Sequence, residues 1–202
     1  MKMKRITRII AAGFIALTLM IPGLVQADSW DIDPAHTLVG FKIRHMMVTN
    51  VRGSFHDVKG ALQFDAAIPD KSSLDVVIQA ASIDTGIEKR DNHLRSQDFF
   101  EVEKFPALTF KSTKFEKVAD GVFKVTGDLN IHGITKEVVL DVEGLNLQVV
   151  DPWGGTRMGA FATTIVNRKD YGLTWNQALE AGGWLVGDDV TVNLEVEVVR
   201  KK

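Results

Sequence analysis

The sequence predicts an all-β protein, an antiparallel sheet of short strands interrupted by one or two short helices. Two observations carry that expectation. Apolar residues alternate with polar ones in many separate segments, and turn-forming pairs separate those segments at regular spacing. No Pro/Ser-rich linker and no internal repeat divides the chain, so a single domain is expected. Closing such a sheet on itself is the usual way to remove exposed strand edges.

The first element is an export signal. Lys2, Lys4, Arg5 and Arg8 precede an uncharged run from Ile9 to Val25, which ends in Pro22-Gly23 and the cleavage pattern Val25-Gln26-Ala27. Cleavage after Ala27 leaves a domain of residues 28–202 outside the cytoplasm. No cysteine follows the signal, so a lipid-anchored start is not expected and stability rests on the core alone. The formal charge of −2 becomes −6 once four basic and no acidic residues leave. That balance lacks the basic face that nucleic acid requires.

Strand patterns follow in order: Val39-Phe41-Ile43, Leu74-Val76-Ile78, Leu108-Phe110, Phe123-Val125 with Leu129-Ile131, and Val138-Leu140-Val142. The clearest comes last, where Val190, Val192, Leu194, Val196 and Val198 alternate with Thr191, Asn193, Glu195 and Glu197. Asp120-Gly121, His132-Gly133 and Asp151-Pro152-Trp153-Gly154-Gly155 mark turns between them. A helix is expected from Gly86 to about Gln97, because Thr85-Gly86-Ile87-Glu88 has capping-box spacing and strand alternation lapses after it. A second short helix is expected over Gln177 to Ala181, capped by Asn176 and stopped by Gly182.

Catalytic constellations are not evident. The five histidines, His36, His45, His56, His93 and His132, form no local pair of the kind metal sites leave, so no metal is expected. Of these, His36, His45 and His132 read as supports of strand ends or turns. There is no Gly-x-Ser-x-Gly elbow, and Asp84 with Glu88 reads as helix-start charge rather than an acid-base pair. Gly154-Gly155 leads into Thr156-Arg157 and does not form a phosphate loop. The densest group of recognition side chains is Arg90 to Pro106, with two guanidinium forks, an imidazole, side-chain amides and three phenylalanines. Such a mixture suits an amphiphile with a polar head and an apolar chain.

Trp30-Asp31-Ile32-Asp33-Pro34-Ala35-His36-Thr37, the Arg90 to Pro106 segment, Gly127 to Lys136, and Gly187-Asp188-Asp189 together resemble the signature of the YceI-like family of exported lipid-binding proteins. The resemblance spans essentially the whole chain after the signal. It implies a lipocalin-like extended antiparallel β-barrel whose lumen holds a polyisoprenoid, an isoprenoid quinone or a fatty-acid derivative. Phe41, Ile43, Val76, Ile78, Leu108, Phe110, Leu129 and Ile131 lie on alternating apolar faces and are the expected lumen residues. Arg90, Asn92, His93 and Arg95 are the expected head-group contacts. The expected function is that of a periplasmic, non-enzymatic carrier with no cofactor beyond a bound isoprenoid or acyl lipid. Transient contact with a membrane protein would deliver the cargo, and an apolar strand edge is open to homodimer pairing. An enzyme acting on such a lipid, or a stress-protective structural protein with no specific ligand, are the alternatives.

Overall fold

The computed structural model describes residues 27–201. The assigned export signal, apart from Ala27, lies outside the described residues. Twelve strands form one antiparallel sheet: β1 Asp28–Ile32, β2 Leu38–His45, β3 Thr49–Phe55, β4 Val58–Phe64, β5 Ser73–Gln79, β6 Ile83–Asp84, β7 Ala107–Ala119, β8 Val122–Ile131, β9 Ile134–Glu143, β10 Gln148–Val150, β11 Thr156–Asn167 and β12 Val186–Arg200. Eight of them, β11-β9-β8-β7-β5-β4-β1-β12, close into a ring because β12 also pairs with β11. Among the described residues a single short α-helix, α1 Glu88–Arg95, lies across one end. The protein is therefore an eight-stranded antiparallel barrel with one short helix, and the all-β expectation holds.

Strand β12 is long enough to serve two partners on one edge. Its last residues pair with β1, and Val186 to Glu195 pair with β2, which carries the wall onward through β3 and β6. Each alternating pattern read from the sequence lies within one of these strands. Between β9 and β11 the ring is thin, because they pair only through Asp141–Glu143 and Phe161–Thr163. Beyond that point Tyr171 and Leu173, on the segment after β11, fill the wedge and pack with Val138.

The barrel has two ends of different character. One is filled by Trp30, Phe64, Phe115, Phe123, Met158 and Val198, all buried. Each such side chain contributes about 1.5–3 kcal/mol on burial. At the border of that end Arg157 pairs with Asp33 at 2.7 Å, with Asp151 at 2.7 Å and with Glu197. His36 donates to Asp33 from the Pro34–His36 turn at 3.0 Å. The His36 hydrogen bond, followed by that from Arg157, holds the Asp33 carboxyl down at about 2. A depressed carboxyl stabilises the fold above its ordinary pKa and loses that contribution as pH falls through the depressed value. The urea midpoint is therefore expected to drop between about pH 4 and pH 2, and to drop less steeply in Asp33→Asn. Identical pH profiles for the two proteins would remove Asp33 as a contributor.

Two local expectations are corrected. Helix α1 begins with Ile87 as its N-cap, and Thr85 does not cap it. Instead the Thr85 backbone N–H and hydroxyl both donate to Asp91, a buried carboxylate that ties the helix to the incoming chain. The second helix is absent. Residues Gln177 to Ala181 form part of a tight reversal with a bridge between Ala178 and Trp184, made accessible by positive φ at Gly182 and Gly183. Asn176 is the strand's surrogate partner there: its amide donates to the Val186 carbonyl at 2.7 Å and accepts from the Val186 N–H at 3.0 Å.

Candidate functional site

Toward the α1 end the barrel is hollow. A cavity of about 650 Å³ runs inward from exposed Ile87 and Lys89 to Leu140 and Val196, within the usual range for ligand sites. All eight apolar positions expected from alternation line it. Their register explains how they meet. Val76, Phe110 and Leu129 are direct partners across β5, β7 and β8, and Ile78 faces Leu108 in the next rung. Phe41 and Ile43 enter from the opposite wall on β2.

Glycines keep this interior open despite its large residues. A Cβ on Gly53 would sit 2.5 Å from Phe41 Cζ, and one on Gly127 would sit 2.5 Å from Phe110 Cζ. Both rings thus lie against bare backbone on the neighbouring strand instead of projecting across the lumen. Gly60 makes the same allowance for Ile32, 2.7 Å from its would-be Cβ. A lumen lined by apolar side chains that do not meet across it has unsatisfied dispersion contacts, which an apolar guest would supply.

The expected head-group residues divide. Arg90 and His93 reach the cavity wall, three residues apart on one face of α1. Arg90 is already held, donating to the Thr85 hydroxyl at 2.7 Å and the Thr85 carbonyl at 2.8 Å. His93 pairs with Asp98 at 2.9 Å and meets Phe99 and Trp175 edge-on. Asn92 and Arg95 are not on the wall. Arg95 donates to the carbonyls of Ala81 at 2.8 Å and Ile83 at 2.6 Å, and to the Asn92 side chain at 3.0 Å. They tether the helix from outside, because three residues carry a side chain around most of a turn but two or five carry it to another face.

Sequence reasoning missed the segment that completes the wall. Tyr171, the chain's only tyrosine, is 2% exposed and lines the cavity, with its hydroxyl buried and without a partner among the described residues. Burial, with a smaller push from the Asp170 charge, raises its phenol to about 12, so the covered hydroxyl is neutral. Arg168 is 4% exposed and donates to the carbonyls of Gly187, Leu173 and Trp175. Burial lowers its pKa, against the opposing pull of Asp188. The run Arg168-Lys169-Asp170-Tyr171-Gly172 has no period, and its only sequence trace is that lone tyrosine. Asp33, His36 and Glu197 bring potential metal ligands together, but Arg157 is already bonded to both acids.

A closed antiparallel barrel with an apolar lumen and a few polar groups near its mouth defines the structural class of this protein. Within that class the chain belongs to the YceI-like family, whose domain matches residues 30–198. Among relatives, a UPF0312 protein of Ectopseudomonas mendocina is 38% identical over 165 residues, covering 81% of this chain and 86% of that one. Of solved structures, a Campylobacter jejuni YCEI protein shares 37% identity with a TM-score of 0.66, covering 84% of this chain and 96% of that one. A polyisoprenoid binding domain from Saccharophagus degradans has the same fold, with a TM-score of 0.62 at 16% identity, covering 87% and 99%.

Proposed function

We propose that the protein is an exported, periplasmic carrier of a long-chain amphiphile, a polyisoprenoid, an isoprenoid quinone or a fatty-acid derivative, held in the barrel lumen. The observation that carries the reading is the apolar cavity of about 650 Å³ in a barrel whose other end is filled by buried apolar side chains. Family membership and the description of the Saccharophagus degradans domain support the ligand class. Each buried methylene contributes about 0.8 kcal/mol, so the chain supplies affinity and the polar groups select the head. Native mass spectrometry of protein purified from its own periplasm, with organic extraction, tests the proposal. A stoichiometric isoprenoid or acyl species supports it, and a protein that neither retains such a species nor takes one up overturns it.

Tyr171 sharpens the test. Its hydroxyl is covered and has no partner among the described residues, at a desolvation cost of about 1–3 kcal/mol, and we propose that an oxygen-bearing ligand displaces that cover and relieves the cost. Tyr171→Phe is expected to leave the empty protein as stable or more so, and to weaken an oxygen-bearing amphiphile by about five- to tenfold. Titration with a fatty acid and with the matching alkane separates these effects. Equal losses for both ligands would show that the hydroxyl makes no such bond.

A further inference from the structure

The cavity mouth is surrounded by apolar residues that face water. At the tip of the β2–β3 hairpin Met47 is 65% and Val48 75% exposed, and Met46 beside them is also exposed. The loop before β12 places Trp184, 57% exposed, next to this tip: Met46 N–H donates to the Leu185 carbonyl at 2.8 Å, and Met47 Sδ lies against Gly183. Exposed Ile87 lines the opening itself. The tip is also conformationally unusual. Met46 and Met47 both have positive φ, 49° and 61°, in a reversal closed by the Val48 N–H to the His45 carbonyl. Asn-Gly meets that requirement without strain, so two methionines here are kept at a cost that folding alone does not explain.

Charge is arranged around the same tip. Lys42 and Arg44 share the outer face of β2, and Arg52 stands directly opposite Lys42 on β3. Like charges in such positions repel, and among the described residues none of the three is paired with a carboxylate. Arg44 reaches along the hairpin to the Met47 carbonyl at 2.8 Å, which brings its charge to the base of the apolar tip. Lys89 adds a further cation at the mouth. The protein as a whole is acidic, whereas the β2–β3 hairpin from Leu38 to Phe55 carries no carboxylate.

An apolar tip with an aromatic residue, backed by a ring of unpaired cations, has the layout of a segment that enters the interface of an anionic bilayer. We propose that this mouth docks onto anionic phospholipid membrane, with Met46, Met47, Val48, Trp184 and Ile87 in the acyl boundary and Lys42, Arg44, Arg52 and Lys89 at the headgroups. The inference rests on the carrier reading, since it places the opening against the phase that holds a water-insoluble cargo. Exchange then needs no passage of the apolar chain through water.

The chain has no cysteine, so single labels are unambiguous. Met47→Cys, Lys117→Cys and Trp153→Cys would each carry a polarity-sensitive dye, the last two marking the β7–β8 hairpin and the exposed apolar turn before β11, at the opposite end. Vesicles of phosphatidylglycerol and phosphatidylcholine are expected to shift the dye at residue 47 to the blue, with quenching by nitroxide-bearing lipid and no shift at 117 or 153. Changing Lys42, Arg44 and Arg52 to Gln should weaken partitioning on the order of a hundredfold. All variants keep the same N-terminus, so any contribution of residues 1–27 is common to them. A shift at 153 in place of 47, equal shifts at all three sites, or equal partitioning to pure phosphatidylcholine overturns the proposal. Uptake of a fluorescent fatty acid from water, followed in the same samples, separates the two readings. Uptake without docking overturns the membrane face alone, and docking without uptake keeps that face and overturns the carrier reading.

Discussion

Replacing Val76 and Leu129 together by tryptophan is expected to weaken binding of a long-chain amphiphile on the order of a hundredfold while leaving the barrel folded. The two residues flank Phe110 in a single rung across β5, β7 and β8, halfway along the cavity wall. Two indoles there would close the lumen at its middle. Displacing about four methylenes at about 0.8 kcal/mol each removes about 3 kcal/mol, on the order of a hundredfold in Kd. Overpacking usually costs about 1–3 kcal/mol, and the lower end is expected here because the new rings project into empty space. Displacement of a fluorescent fatty acid gives the affinity, and far-UV circular dichroism with a urea midpoint gives the fold. Unchanged affinity in a folded variant would place the ligand elsewhere.

Replacing Arg168 by methionine is expected to be the most damaging single change to stability. The methionine fits the stem but leaves the buried Leu173 carbonyl and the half-buried carbonyls of Gly187 and Trp175 without the donors they now have. Leaving a buried acceptor unpaired costs about 1–3 kcal/mol, and with three acceptors losing the same donor the total is a large share of the about 5–15 kcal/mol that holds a typical domain together. Lysine should recover little, because one ammonium cannot reproduce a fork that serves three carbonyls. The loss should begin locally. Arg168 braces the segment that fills the wedge between β9 and β11, so amide exchange at Leu173 and Trp175 should accelerate before the rest of the barrel. A methionine variant within about 1 kcal/mol of the parent would show that water replaces the guanidinium there.

The strands legible in the sequence are those with one wet face and one apolar face. Along β12, the inward Val190, Val192 and Leu194 contrast with the outward Thr191, Asn193 and Glu195, and period two is plain. Strand β11 escaped notice because its pattern is inverted: Ala160, Ala162 and Thr164 turn inward while Phe161 and Ile165 face solvent. Strand β3 was masked by Gly53, the glycine that makes room for Phe41. The expected and observed helix agree within two residues at each end, but Thr85 has a different partner, since a capping-box spacing does not say whether its hydroxyl meets backbone or, as here, the Asp91 carboxylate.

The candidate site was legible to the same depth. Alternation assigned eight residues to the inner face, because a strand's geometry forces successive side chains to opposite sides. The cavity itself was beyond sequence. Whether inward residues meet or leave a void depends on barrel girth and on which glycine lies beside which ring, and those are relations between strands far apart in the chain. Helix period likewise separates Arg90 and His93 from Asn92 and Arg95 only once the barrel shows which side of α1 faces inward. The sequence alone determined the all-β class and the inner face of its periodic strands, through local sterics and the contrast between apolar and polar side chains. Only the tertiary structure decided the closed ring, the open lumen, and the roles of Tyr171 and Arg168, because each depends on contacts that exist only after distant segments have packed.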